Sequence, residues 1–333
     1  MMKAHPEQNI PVVDLHDFTH GDAATQARFV KDLGDALVDL GFVAVENHGV
    51  DASALADTYA SIRDLFDLPR DQKMRYEVLE GGRQRGYTSF GAEHAKDRAV
   101  PDMKEFWHIG PELDESHPMR ARIPRNLWPS ELPSFQPASL RLFASLHACG
   151  VTLLRAIARF LGASEESFVD MVDGGNTILR LIRYPAPGEV EIPEGAVWAA
   201  AHEDINLITL LPEATDPGLQ LLRRDGTWLD INPVKGQLIA DSGDMLQRLT
   251  NGVIPSTTHR VLAPRRATTP RYSIPFFLHP RPDFVLTPLA QCVTADNPRR
   301  WPDTTAEGYL MERIREIGLA SAQGHAGRYA SKG

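Results

Sequence analysis

Cysteine is almost missing from this chain: Cys149 and Cys292 are the two thiols in 333 residues. That is too few for a disulfide-stapled scaffold, and they do not cluster as a structural zinc or iron–sulfur site requires. Positive charge is also short, 35 Lys and Arg against 44 Asp and Glu, for a formal net charge of -9. A chain of that sign lacks the basic footprint by which proteins hold nucleic-acid phosphates or anionic lipid. In the sequence no unbroken apolar run approaches the length of a bilayer span, and no basic stretch leads into an apolar one at the N-terminus. A cytoplasmic protein is therefore expected, with no nucleic-acid or membrane partner. Internal repeats, low-complexity tracts and a clear linker are absent too, so 1–333 is read as a single domain, of undetermined oligomeric state. What remains is an ordinary globular composition, 42% hydrophobic and 24% charged, with chain enough for a substantial core.

Residues 10–15 read as a short strand. The stretch 23–40 reads as a helix carrying Phe29, Val30, Leu33, Leu37 and Leu40 on one stripe, stopped by Gly41. A strand at 42–45 ends in the turn Glu46-Asn47-His48-Gly49, where His48 is read as a hydrogen-bonded loop residue. Asp51 can cap a second helix bearing Leu55, Tyr59, Ile62 and Phe66. The Gly- and charge-rich stretch 81–110 suits loop and short strand, with Phe106 and Trp107 open to either packing or binding roles. The longest helix is expected over 134–162, backing a sheet. From 177 onward the texture becomes short apolar strands between Gly, Pro and Asp turns, at 177–184, 207–211, 219–222, 228–231, 237–240, 258–262 and 272–278. That pattern predicts a sandwich or barrel. Helical spacing returns at Tyr309, Leu310, Ile314 and Ile317 before a Gly/Ala/Ser-rich tail expected to fray.

The chemistry concentrates between Ala201 and Ser273. His202-Glu203-Asp204 lies in the apolar stretch 199–211, read as one strand, so His202 and Asp204 share a face while Glu203 points opposite. His259 comes from far along the chain. Two imidazoles and a carboxylate in this order are the donors of a non-haem ferrous centre, the 2-His-1-carboxylate facial triad, which leaves coordination positions open. A lone His-x-Asp carries little weight; His259 and the later Arg271-Tyr272-Ser273 give it weight. Arg271 and Ser273 share one face of their strand. A guanidinium matches a planar carboxylate through two parallel hydrogen bonds, and a buried one left unpaired costs about 3–5 kcal/mol.

Together with these residues, Gly41-Phe42-Val43-Ala44-Val45-Glu46-Asn47-His48-Gly49-Val50, the run Gly86-Tyr87 to Lys104-Glu105-Phe106, Gly243-Asp244-Met245-Leu246-Gln247, Thr250-Asn251-Gly252 and His259-Arg260-Val261 resemble one family. It is the isopenicillin N synthase-like branch of the Fe(II)/2-oxoglutarate-dependent dioxygenases. The resemblance runs from about residue 10 to 282. It implies a mainly β fold with flanking helices and a double-stranded β-helix (jelly-roll) core at about 175–285, preceded by an N-terminal non-haem dioxygenase region at about 10–125. It further implies Fe(II) on His202, Asp204 and His259, 2-oxoglutarate held by Arg271, Ser273 and Tyr184, dioxygen as oxidant, and a small molecule hydroxylated, desaturated or cyclised with release of succinate and carbon dioxide. A ferrous oxidase that dispenses with 2-oxoglutarate and a non-catalytic jelly-roll binding protein are the alternatives.

Departures from the family pattern are few. Ile182 stands where many plant members carry Asn two positions before the Tyr, and Glu203 occupies the middle of the triad tripeptide. The turn 265–270 reads as an expanded loop and His279 as a surface residue. By analogy with the family's layout, Arg85, Tyr87, Phe106, His108 and the C-terminal helix are the candidates for a substrate mouth suited to a polar small molecule.

Overall fold

The structure is a computed structural model and describes residues 8–96, 100–186, 188–190, 197–232, 234–263 and 268–319. In chain order it runs β1 (Val12–Asp14), α1 (Leu15–His20), α2 (Ala23–Leu40), β2 (Phe42–Glu46), α3 (Ala52–Asp67), α4 (Arg70–Met74), β3 (Gly86–Thr88) and β4 (Glu105–Ile109). Next come the helices α5 (Phe135–Phe160) and α6 (Glu165–Val172). The second half holds β5 (Ile178–Tyr184), β6 (Ala199–His202), β7 (Ile208–Pro212), β8 (Leu219–Leu222), β9 (Trp228–Asp230) and β10 (Leu238–Ser242). It closes with α7 (Asp244–Leu249), β11 (His259–Val261), β12 (Arg271–Ser273), β13 (Phe276–Leu278) and α8 (Ala306–Glu316).

The strands form two sheets. The larger runs β1-β2-β10-β7-β13-β5-β4-β3 with β12 also on β5; the smaller runs β6-β11-β8-β9. Among the described residues only β1 and β2 pair in parallel, with α1 and α2 as the crossover between them. Alternation along the larger sheet gives it two different faces. On one, Phe276 of β13 meets Phe143 of α5 edge-on at 5.0 Å and Trp107 of β4 meets Phe135 at 5.7 Å, so this face is covered by helices. The other carries Thr209, Phe277 and Ile178 as direct cross-strand partners and turns toward the smaller sheet. The result is a jelly roll flanked by helices.

Helix α2 begins and ends where the sequence predicts: Asp22 accepts from the Thr25 amide at 2.8 Å, and Gly41 takes a φ of 69° while its N–H closes on Leu37. Helix α5 corresponds to the 134–162 expectation. It is long and apolar enough to cross a membrane, although polar residues interrupt its apolar ones. Its apolar side packs against α2, α3, α6 and β13.

Two strands expected to be continuous are broken. The stretch 199–211 divides into β6 and β7, and 272–278 divides at Ile274-Pro275 into β12 and β13. Pro275 has no N–H to give a ladder, and its carbonyl instead accepts from the Arg180 amide at 2.9 Å. Part of the turn at 265–270 and the tail from 320 lie outside the described residues.

Candidate active site

His202 closes β6 and His259 opens β11, and the two are direct partners in the ladder, with ring centroids 4.4 Å apart. Each imidazole is oriented by the backbone two residues behind it. His202 Nδ1 lies 2.7 Å from the Ala200 carbonyl and His259 Nδ1 3.2 Å from the Thr257 carbonyl. A carbonyl can only accept, so both protons sit on Nδ1 and both Nε2 lone pairs stay free. The two Nε2 atoms are each 3.8 Å from the same atom, Asp204 Oδ1. Burial, followed by the neighbouring His202, holds His259 down to about 4, so its ring is neutral at pH 7.

Asp204 is not on the strand, against the expectation that one strand supplies two ligands. The chain leaves β6 at His202 and turns onto the start of α7, where the Asp204 and Asn206 carbonyls accept from Asp244 (2.8 Å) and Met245 (2.9 Å). Gly243 lies so close beneath this turn that a Cβ would collide with Asn206 and with the Asp204 carbonyl. The carboxylate is then aimed by its second oxygen: Oδ2 accepts the Thr209 hydroxyl, which itself accepts from Asn206 Nδ2 at 2.8 Å. Glu203 is exposed and accepts from Thr258 at 3.0 Å, outside the cluster, as the sequence suggests. Nε2, Nε2 and Oδ1 thus converge, with all the donor atoms within 4.8 Å of one another. Neutral nitrogens plus one carboxylate oxygen form a donor set that fits a ferrous ion.

Beyond this cluster, β12 pairs with β5 so that Arg271 faces Tyr184 and Ser273 faces Ile182. Arg271 is 2% exposed, yet only partly partnered. Its Nε donates to the Asp216 carbonyl at 3.0 Å, its carbon lies 5.1 Å from the Tyr184 ring, and buried Nη1 has no partner among the described residues. A buried cation with an orphan donor calls for an anion. Ser273 and Tyr184 are buried beside it, on the face that also carries Arg180, Phe277 and Thr209.

The four substrate candidates do not gather as expected. Tyr87 pairs with Trp107 on the helix-covered face, where its hydroxyl donates to Glu105 at 2.6 Å beside Lys73; it looks away from the triad. Arg85 is buried against Gly110, donating to the Gln84 carbonyl (2.6 Å) and Asn176 (2.9 Å). It lines, with Gln84, His117 and Arg120, an outer cleft of about 560 Å³. Phe106 and His108 are on the inner face but only 1% exposed, beneath another residue. That residue is Arg180, opposite His108 on β5, whose guanidinium carbon sits 4.4 Å from the Phe106 ring. The sequence reading missed Arg180 together with Glu93, Lys104 and Asp102. A charged residue inside the apolar run 178–184 was the available signal for the first. His279 is a further correction: it is buried, with Nδ1 3.1 Å from the Phe277 carbonyl, and burial lowers it to about 4.

Comparison with known proteins agrees with this geometry. Residues 10–131 match the family described as the N-terminal region of non-haem dioxygenases in morphine synthesis, and 176–280 match the 2OG-Fe(II) oxygenase superfamily. A 2-oxoglutarate-Fe(II) type oxidoreductase of Aspergillus fumigatus is 30% identical over 313 residues, covering 92% of each chain. A 2OG-Fe(II) oxygenase family protein from Caulobacter crescentus superposes with a TM-score of 0.82 at 40% identity, over 93% of this chain and 99% of that one. A full-length Neurospora crassa protein solved in complex with alpha-KG gives 0.81 at 28% identity, over 95% and 100%. The chain belongs to the 2OG-Fe(II) oxygenase superfamily and is an Fe(II)/2-oxoglutarate-dependent dioxygenase that oxidises a small molecule.

Proposed function

We propose that His202, Asp204 and His259 bind the ferrous ion and that Arg271, Ser273 and Tyr184 hold 2-oxoglutarate, the whole chain working as one oxygenase domain. One observation carries this reading: two Nε2 lone pairs, fixed by backbone carbonyls, each stand 3.8 Å from the same carboxylate oxygen of Asp204. When bound, Fe(II), 2-oxoglutarate and dioxygen supply the oxidising power, and 2-oxoglutarate leaves as succinate and carbon dioxide. The chain's own part is positional. Thr209 and the two carbonyls keep the donor atoms aimed, so metal binding costs little reorganisation. Arg271 would pair the distal carboxylate through its unpartnered Nη1, relieving a buried charge. Ser273 and Tyr184 lie beside Arg271, and the apolar side chains around Phe277 and Ile178 would exclude water and fix the target C–H bond. No side chain needs to act as a general base.

The test is anaerobic addition of Fe(II) and 2-oxoglutarate to the whole protein, watching for the weak visible metal-to-ligand charge-transfer band. The band is expected for the wild type and is lost in His259→Ala. A band unaffected in that variant would sink the ligand assignment.

A further inference from the structure

Arg180 projects from β5 on the same face as Tyr184 and Phe277, four residues along the strand from Tyr184 and opposite His108 of β4. It is held on almost every side. Its Nε donates to His108 Nε2 at 2.6 Å; His108 can accept there because its Nδ1 donates to the Arg83 carbonyl at 2.9 Å. Nη1 faces both Glu93 oxygens at 3.3 and 3.5 Å. The guanidinium carbon lies 4.4 Å from the Phe106 ring and 5.1 Å from that of Phe277. Nη2 alone has no hydrogen-bond partner among the described residues, and the side chain keeps 14% of its surface. A planar cation locked in this way is a pre-aimed donor rather than a mobile charge.

The charges around it are already balanced. Glu93 also pairs with Lys104 at 3.3 Å, and Lys104 pairs with Asp102 at 3.0 Å, whose other oxygen accepts the Ala200 amide at 3.0 Å beside the triad strand. Two cations thus meet two carboxylates before any substrate arrives. An incoming carboxylate would find no spare cation in this cluster and would lie across Arg180 from Glu93. An uncharged carbonyl oxygen can take the Nη2 proton without that repulsion.

We propose that Arg180 is the substrate anchor of this oxygenase and that, with Glu93 behind it, it selects an uncharged amide, imide or lactam over a carboxylate. This rests on the assignment of the triad and of Arg271 made above. Its test uses the whole protein loaded anaerobically with Fe(II) and 2-oxoglutarate and titrated calorimetrically with two matched pairs, uracil against orotate and benzamide against benzoate. The uncharged member of each pair is expected to bind on the order of tenfold tighter. Glu93→Gln, which removes one negative charge and keeps the shape, is expected to shift the ratio toward the carboxylates by a similar factor. A residue that only supported the fold would not move that ratio. Arg180→Met is expected to lose binding of the uncharged probes while 2-oxoglutarate still binds. Wild-type preference for the carboxylates, an unchanged ratio in Glu93→Gln, or binding of none of the four probes while 2-oxoglutarate binds would overturn the proposal and leave the co-substrate assignment standing. Failure of the wild type to bind 2-oxoglutarate would overturn both.

Discussion

His202 and His259 occupy one rung of the β6–β11 ladder, and their Nε2 atoms stand at the same distance, 3.8 Å, from Asp204 Oδ1. Three donors so placed gain stability from a cation between them. With Mn(II) at about one hundred times its dissociation constant, linkage adds about 2.7 kcal/mol, a rise in Tm of about 5 °C. His259→Ala should abolish the rise, and a chelator should reverse it in the wild type. Equal Mn(II) stabilisation of wild type and variant in a melting experiment would contradict the site.

Arg271 carries the second expectation. Its buried Nη1 has no partner among the described residues, so the co-substrate carboxylate would restore a charge-assisted hydrogen bond that the fold leaves unmade. Arg271→Leu should weaken 2-oxoglutarate on the order of a hundredfold in an anaerobic titration, with Mn(II) affinity unchanged. Arg271→Lys should fall between, since an ammonium keeps the charge and loses the fork. Undiminished affinity in the leucine variant would remove Arg271 from the site.

Thr209 should act on a bound metal through Asp204. Replacing it with valine keeps the volume and deletes the hydroxyl that Oδ2 accepts, leaving the carboxylate free to rotate. Metal affinity should fall roughly 10–100-fold, with the visible band of the 2-oxoglutarate complex shifted rather than lost. An unaltered dissociation constant for Mn(II) would show that Asp204 is aimed by its backbone alone.

The sequence pointed to the candidate metal donors through residue type, because few structural needs call for two histidines and an aspartate beside apolar strands. It did not reveal where Asp204 sits. The stretch 199–211 is mostly apolar and has no Gly or Pro to mark a break, and the turn that lifts Asp204 out of the strand depends on Gly243 and the start of α7, far along the chain. Parity had a similar limit. Alternation says that Tyr87 and Phe106 lie on opposite sides of the sheet, since Tyr87 is level with Trp107, but which side is the inside is decided by α5 packing on Trp107. Glu93 was beyond reach, because it lies in an irregular stretch and gains its meaning from Arg180, 87 positions on.

Gly34 tests packing apart from chemistry. In the middle of α2 an alanine would ordinarily add about 1 kcal/mol of helix stability. Here its Cβ would collide with the Phe160 ring of α5, and forcing that contact costs typically about 1–3 kcal/mol. The collision should win, so Gly34→Ala should lower the urea midpoint, and Phe160→Leu in the same chain should recover part of the loss. A more stable single variant would mean that the two helices can part at little cost.

The pH dependence of stability should show the Glu93 cluster. Burial alone would raise the Glu93 carboxyl, but Arg180 and Lys104 outweigh it and hold the group at about 2, below its ordinary 4.5. A depressed carboxyl contributes stability that is complete above about 4.5 and is lost as pH falls through the folded value. Lys104 has the opposite sign: burial would lower it, while Glu93 and Asp102 more than compensate and raise it above 10.5, so its contribution holds below that pH and fades above. Between about pH 5 and 10 both contributions are intact. At pH 7 Glu93→Gln should cost about 3 kcal/mol, because it leaves Arg180 and Lys104 with one carboxylate between them. Between pH 5 and pH 3 the gap between wild type and variant should shrink, since the unfolded carboxyl takes up its proton below about 4.5 while the folded one, held at about 2, stays charged. Urea midpoints at pH 3, 4, 5 and 7 measure it, and a gap that stays constant over that range would show that Glu93 stabilises through its shape and not its charge.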